Sequence, residues 1–126
     1  MIWIIDIVLL LLIVAFFLYP RWNLKRNAKI VDNAEFERLM VTSQVIDIRE
    51  ATDFRVKHIM GARNLPASQI DQSLNAVNKN KPVLIYENYR PAAATKVAKK
   101  LKQAGVPEIY VLKNGLNDWK GKTKQG

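Results

Sequence analysis

The chain has 126 residues, enough for one domain around one hydrophobic core and not for two. It carries 20 Lys and Arg against 11 Asp and Glu, a formal charge of +9, which suits an anionic surface such as lipid or nucleic acid and says nothing of fold. With no cysteine and one histidine, the chain can form no disulfide, thiolate metal site, persulfide, cysteine nucleophile or multi-histidine metal centre, and no cofactor or metal is expected.

The N-terminal stretch "IWIIDIVLLLLIVAFFLY" holds a single charge, Asp6. At roughly 1.5 Å per residue, a helix of this length nearly matches a hydrocarbon core of about 30 Å. Trp3 and Tyr19 lie at its ends, where amphipathic rings favour the interface. A cleaved signal peptide fits less well, because no Lys or Arg precedes the apolar run and no small-residue cleavage site follows it. Residues 1–19 are therefore expected to form one transmembrane anchor. Pro20 is expected to end that helix, leaving residues 20–29 as a basic juxtamembrane linker. Its four basic residues, Arg21, Lys25, Arg26 and Lys29, place this end in the cytoplasm by the positive-inside rule. The expected protein is a single-pass protein of the cell membrane, with its N-terminus outside and its soluble domain cytoplasmic.

The remainder alternates strand and helix. Asp32 reads as a helix cap, with Glu35 as the second half of a capping box, and Phe36, Leu39 and Met40 share one face of that helix. "SQVIDI" (43–48) is a short buried strand and "ATDF" (51–54) a helical turn. "KHIMGARNLP" (57–66) is loop and short strand. Ile70, Leu74 and Val77 stand at helical spacing within residues 68–79. "PVLIY" (82–86) is a continuous apolar strand of the kind buried on both faces. Pro91 fits the first position of a helix whose stripe is Ala94, Val97, Ala98, Leu101 and Ala104, ended by Gly105. "EIYVL" (108–112) is another strand, and "NGLNDW" (114–119) is a terminal turn with Trp119 packing back. Residues 120–126 are left as a basic tail. This order specifies an α/β fold with a central, mainly parallel sheet flanked by helices, in which ligands bind beyond the carboxyl ends of the strands. The loop "ENYRP" lies at such an end.

"VIDIREATDFRVKHIMGARNLP", "PVLIYENYRPAAATKVAKKLKQAG" and "IYVLKNGLNDW", in that order and spacing, resemble the rhodanese-like family over roughly residues 30–119. The resemblance implies a rhodanese-like three-layer fold. It also implies that the residue after Tyr86 should be a cysteine, which takes up sulfane sulfur inside a tight loop of backbone N–H groups. Here that position is Glu87. The loop lacks the family's glycine, its spacing to Gly105 is one residue longer, Lys57 replaces a glycine before His58, and Asn114 replaces one in the closing turn. A carboxylate cannot carry sulfane sulfur, which needs a polarisable thiolate. It would also repel an anionic substrate, and Pro91 withholds one N–H from the loop.

No residue is therefore expected to be catalytic. Asp47 and Arg49 are expected to form a structural ion pair. His58 is expected to be a framework residue, together with Gly61, Asn64 and Trp119. Lys96, Lys99, Lys100 and Lys102 lie opposite the apolar stripe, as a solvated face or one that touches lipid. Glu87, Asn88, Tyr89, Arg90, Pro91 and Ala92 form a degenerate active-site loop whose Tyr and Arg suit recognition. The expected function is an inactive, membrane-anchored protein-binding or regulatory module with a membrane or cytoplasmic protein partner and no nucleic acid. The alternatives are a sulfurtransferase-related or anion-handling enzyme and a peripheral module that senses anionic lipid. The oligomeric state is left open.

Overall fold

The computed structural model describes residues 2–126, without the side chains of residue 2 and residues 18–26. The interfacial role expected of Tyr19, and the orienting roles expected of Arg21, Lys25 and Arg26, lie outside the described residues. The first helix, α1, spans Ile2–Asn27. Pro20 does not end it. A proline removes one backbone hydrogen bond, and the turns on either side carry the helix past it. Residues 20–27 are thus helical rather than a linker, and Lys29 opens the first strand, β1 (Lys29–Val31). The side chains of residues 3–17 are exposed all round α1. Among the described residues no helix is long and apolar enough to cross a membrane.

Four further strands complete a five-stranded sheet: β2 (Gln44–Asp47), β4 (Arg63–Asn64), β5 (Val83–Tyr86) and β6 (Ile109–Leu112). Their order is β1-β6-β5-β2-β4, with every neighbouring pair parallel. β5 lies at the centre, as its uninterrupted apolar sequence requires. Its alternate side chains feed two cores. Val83 and Ile85 meet Val97, Ala98 and Leu101 of α5 (Ala94–Gln103) and Ile70 of α4 (Ile70–Ser73). Leu84 and Tyr86 meet Phe36 of α2 (Asn33–Leu39) and Trp119. These are the three layers of an α/β fold.

Asp32 caps α2 as expected, its Oδ1 accepting from the Glu35 N–H at 2.9 Å. The reciprocal half of the box is not made, because the Glu35 carboxylate pairs with Arg38 one turn on. The segment expected as one helix over 68–79 is broken into a 3-10 turn (Ala67–Gln69), α4 and a second 3-10 turn (Leu74–Ala76). Ile70 and Val77 are nevertheless buried. Pro91 is not the first residue of α5, which opens three residues later at Ala94. The expected tail is not free either. β7 (Thr123–Lys124) pairs antiparallel with β3 (His58–Ile59), and the Met60 N–H donates to the Lys122 carbonyl at 3.0 Å.

Asp32→Ala should lower stability by about 1 kcal/mol, the usual cost of a lost cap. Glu35→Ala should cost under about 0.5 kcal/mol, since it breaks only an exposed ion pair. Thermal melts of the two variants side by side check this ranking, and equal losses would show the capping box to be complete.

Candidate functional site at the carboxyl end of the sheet

Strand register assembles the site. Asp47, the last residue of β2, lies opposite Tyr86 of β5 on one side and Asn64 of β4 on the other. The chains that leave these three strand ends therefore run out side by side. Asp47 is fully buried. Its carboxylate accepts from the Arg49 backbone N–H at 2.9 Å, from Nε at 3.0 Å and from Nη2 at 2.7 Å. Nη1 donates to Asn88 Oδ1 at 2.9 Å, and Nη2 donates also to the Lys57 carbonyl at 2.5 Å. Burial pulls the Arg49 pKa down, but the hydrogen bond and charge of Asp47 more than offset it, and the net shift is upward. Asp47 and Arg49 thus form a buried ion pair, and Arg49 also holds the loop after β5.

Tyr86 supports the pair from below. Burial, the Asp47 charge and a hydrogen bond with Asp47 drive its phenol pKa upward, so it stays a neutral hydroxyl. The oxygen accepts from the Ile59 N–H at 3.0 Å, and the Arg49 Cζ lies 5.8 Å from the ring centroid. His58 is buried, stacked on Phe54 at 3.7 Å, with Nδ1 2.8 Å from the Phe54 carbonyl. Asn64 Nδ2 donates to the Asp47 and Arg49 carbonyls, which fixes the start of the loop after β2. Gly61 takes φ +91° in the turn between β3 and β4. Trp119 packs edge-on against Phe36 at 5.5 Å.

Glu87 leaves β5 directly beneath the start of α5. That helix has no side-chain cap of its own, since its N-cap residue is Ala93. Instead the Glu87 carboxylate accepts from three successive backbone N–H groups: Ala92 at 2.7 Å, Ala93 at 3.0 Å and Ala94 at 3.0 Å. The delay of α5 to Ala94 follows from this. Pro91 has no N–H to offer, and the residues after it turn inward to the carboxylate before the helix begins. Tyr89 is 64% exposed and Arg90 is exposed. The loop's inner residues are held and its tip faces outward.

Sequence reasoning missed the support beneath this loop. Gly115, at φ +69°, lies so close that a Cβ would come within 2.5 Å of the Glu87 and Tyr89 carbonyl oxygens and the Asn88 carbonyl carbon. The following backbone grips the loop: Leu116 N–H donates to the Glu87 carbonyl and Asn117 N–H to the Asn88 carbonyl. The signal was a glycine in "KNGLNDW", which reads only as a packing turn until the two segments are seen together. The inward roles of Asn88 and Tyr86 were missed for the same reason.

Two clefts flank Tyr89. One, of about 470 Å³, is bounded by Arg49, Glu50, Asp53, Glu87 and Arg90. The other, of about 290 Å³, is bounded by Val56, Lys57, Asn88 and Asn117. Among the described residues no group of three or more His, Asp or Glu could hold a metal ion. The basic face of α5 is less uniform than its sequence suggests. Lys100 pairs with Asp71, and Lys102 donates to the Pro107 carbonyl.

The sequence model of the rhodanese-like domain family matches residues 32–122. The chain belongs to that family. It is 34% identical to the uncharacterised Bacillus subtilis protein YqhL, over 94% of this chain and 96% of that one. It is 30% identical to the thiosulfate sulfurtransferase GlpE of Coxiella burnetii, over 60% of this chain and 70% of that one. Its fold is similar to a rhodanese-related protein from Thermoplasma volcanium, with TM-score 0.70 and 17% identity over 78% of this chain and 99% of that one.

Asp47→Ala should destabilise the domain by about 3–5 kcal/mol, because it leaves the Arg49 charge buried and unpaired. Asp47→Ala combined with Arg49→Met should recover part of that loss. Urea unfolding measures both, and a double variant no more stable than Asp47→Ala would show that the unpaired charge is not the cause.

Proposed function

We propose that this protein is a catalytically silent rhodanese-like domain that binds a protein partner through the loop after β5, held at the cytoplasmic face of a membrane by its first helix. One observation carries the reading. The position where the family resemblance calls for the sulfur-carrying cysteine is Glu87, its carboxylate is tied to three backbone N–H groups, and the chain has no cysteine to serve elsewhere. His58 has no nucleophile to serve. Binding is supported by the pairing of a rigid base with an exposed tip: Tyr89 and Arg90 project from it, and exposed Val56 stands beside Tyr89 at the smaller cleft. The sulfurtransferase activity in the name of GlpE belongs to that protein. The lipid-sensing reading is weakened by the internal engagement of Lys100 and Lys102.

The anchor is supported by α1 itself. Its described side chains from Trp3 to Phe17 are apolar apart from Asp6 and exposed on every side, and an exposed surface of that kind calls for a cover. The match to YqhL covers 94% of the chain, so it runs well into this helix.

The protein should transfer no sulfur from thiosulfate or mercaptopyruvate, and activity above a heat-killed control would refute the reading. Tyr89→Ala and Arg90→Glu should change stability by no more than about 0.5 kcal/mol, as surface substitutions do. They should weaken partner capture from membranes by about 2 kcal/mol if Tyr89 fills a partner pocket. Variants that melt normally and capture the same partners as wild type would move the binding surface elsewhere.

Orientation is tested with single introduced cysteines, since the chain has none. Thr123→Cys should resist impermeant thiol reagents in intact cells, while Ile2→Cys should react. The reverse pattern would put the domain outside.

A further inference from the structure

We infer that residues 120–126 are a latch on the loop after β5: docked, they hold that loop in its observed shape by way of β3, and released, they loosen it. The segment lies over the molecule as a strap. It begins at Gly121, where a Cβ would stand 2.5 to 2.8 Å from three atoms of the Trp119 indole. β7 then pairs with β3, the Met60 N–H donating to the Lys122 carbonyl at 3.0 Å. The end reaches α3 (Ala51–Val56), where the Gly126 N–H donates to the Arg55 carbonyl at 2.7 Å. These contacts are easily broken. No residue of the strap is buried, and a pairing of two strands is marginal by itself. Among the described residues none of Lys120, Lys122 and Lys124 pairs with a carboxylate. Segments with so few buried contacts open at the low end of a protein's stability scale.

The strand that the strap holds is bonded on its other edge to the site. Successive N–H groups of a strand point to opposite edges. Met60 turns to the strap, and Ile59 donates to Tyr86 Oη at 3.0 Å. Tyr86 is hydrogen-bonded to Asp47, whose carboxylate holds Arg49. A second route is shorter: the carbonyl of Lys57, the residue before β3, accepts from Arg49 Nη2. Both routes meet at the guanidinium that donates to Asn88 Oδ1 in the loop. The stretch from α3 to β3 has little else to fix it. α3 has no buried residue and Lys57 is exposed, so His58 and Ile59 alone tie residues 51–60 to the interior. Movement of β3 therefore passes to Arg49 and Asn88. The latch concerns the order of the loop, and it holds whether or not the loop binds a protein.

The test is amide hydrogen exchange on the full chain in detergent micelles. Two variants undock the strap at different contacts. Lys124→Pro puts a residue with no N–H into β7, and Gly121→Val drives a side chain against Trp119. In both, the Ile59 amide should exchange about tenfold faster than in wild type. The amides of Arg49, bonded to Asp47, and of Ala92, bonded to Glu87, should quicken with it. The Leu101 amide, in the buried stripe of α5, should not change. Faster exchange at Ile59 with Arg49 and Ala92 unchanged makes the strap a local cover and overturns the inference. Unchanged exchange at Ile59 overturns it too, as does equal quickening at Leu101, which marks a general loosening. A variant that does not fold also overturns it, because a strap needed for folding is no latch.

Discussion

The buried pairing of Asp47 with Arg49 is the interaction on which the rest of the site depends. A carboxylate with no exposure is tolerable only when its lone pairs are filled, and Arg49 fills them three times over from a residue two positions along. The same guanidinium then reaches the Lys57 carbonyl after α3 (Ala51–Val56) and the Asn88 side chain after β5. The end of β2, the end of α3 and the loop after β5 are tied to one planar cation. The net value of the charges themselves is modest, because desolvation offsets much of their attraction. What the pair contributes is geometry: the fork admits one arrangement of the loops around it.

On the reading proposed above, a glutamate in place of a sulfur nucleophile changes the logic of the site rather than merely emptying it. A persulfide site must hold its donors ready for a charge that comes and goes. With Glu87 the acceptor is covalently attached, and its carboxylate takes the Ala92, Ala93 and Ala94 N–H groups. The proline at the end of the loop fits this arrangement. Pro91 supplies no N–H, so the inward-facing donors begin at Ala92, and α5 starts only after they have been used.

The sheet and its two cores were legible because they rest on repeating patterns. The run Val83–Tyr86 and the stripe Ala94, Val97, Ala98 and Leu101 each satisfy a period that packing enforces. The elements that escaped are those whose partners are remote. β1 is three residues long and exists because Val31 lies opposite Leu112. β7 is two residues of an otherwise polar end, formed because His58 and Ile59 present an edge to it. Pro20 misled for a different reason: a local rule about one hydrogen bond cannot weigh a helix that continues on both sides. At the site, the pairing of Asp47 with Arg49 could be expected from their spacing in the sequence. The destination of the Glu87 carboxylate could not, because it depends on where three alanine N–H groups point, and alanine carries no sequence signal of such a role.

Gly115 completes the physical account of why the loop can serve recognition. A binding loop must resist collapse onto its own scaffold while leaving its tip free. Here the backbone of Glu87, Asn88 and Tyr89 is held from one side by the Gly115–Asn117 segment, at a distance that admits no side chain. It is held from the other by the Glu87 carboxylate and by Arg49. Main-chain and side-chain contacts thus hold Glu87, Asn88 and the Ala92–Ala94 amides, while the Tyr89 and Arg90 side chains stay exposed. Tyr and Arg are the residue types that most often anchor protein interfaces. Ordering the loop in advance also removes an entropy cost that a flexible loop would incur on binding. The same contacts that hold the internal carboxylate in place therefore prepare the surface through which the domain is proposed to act.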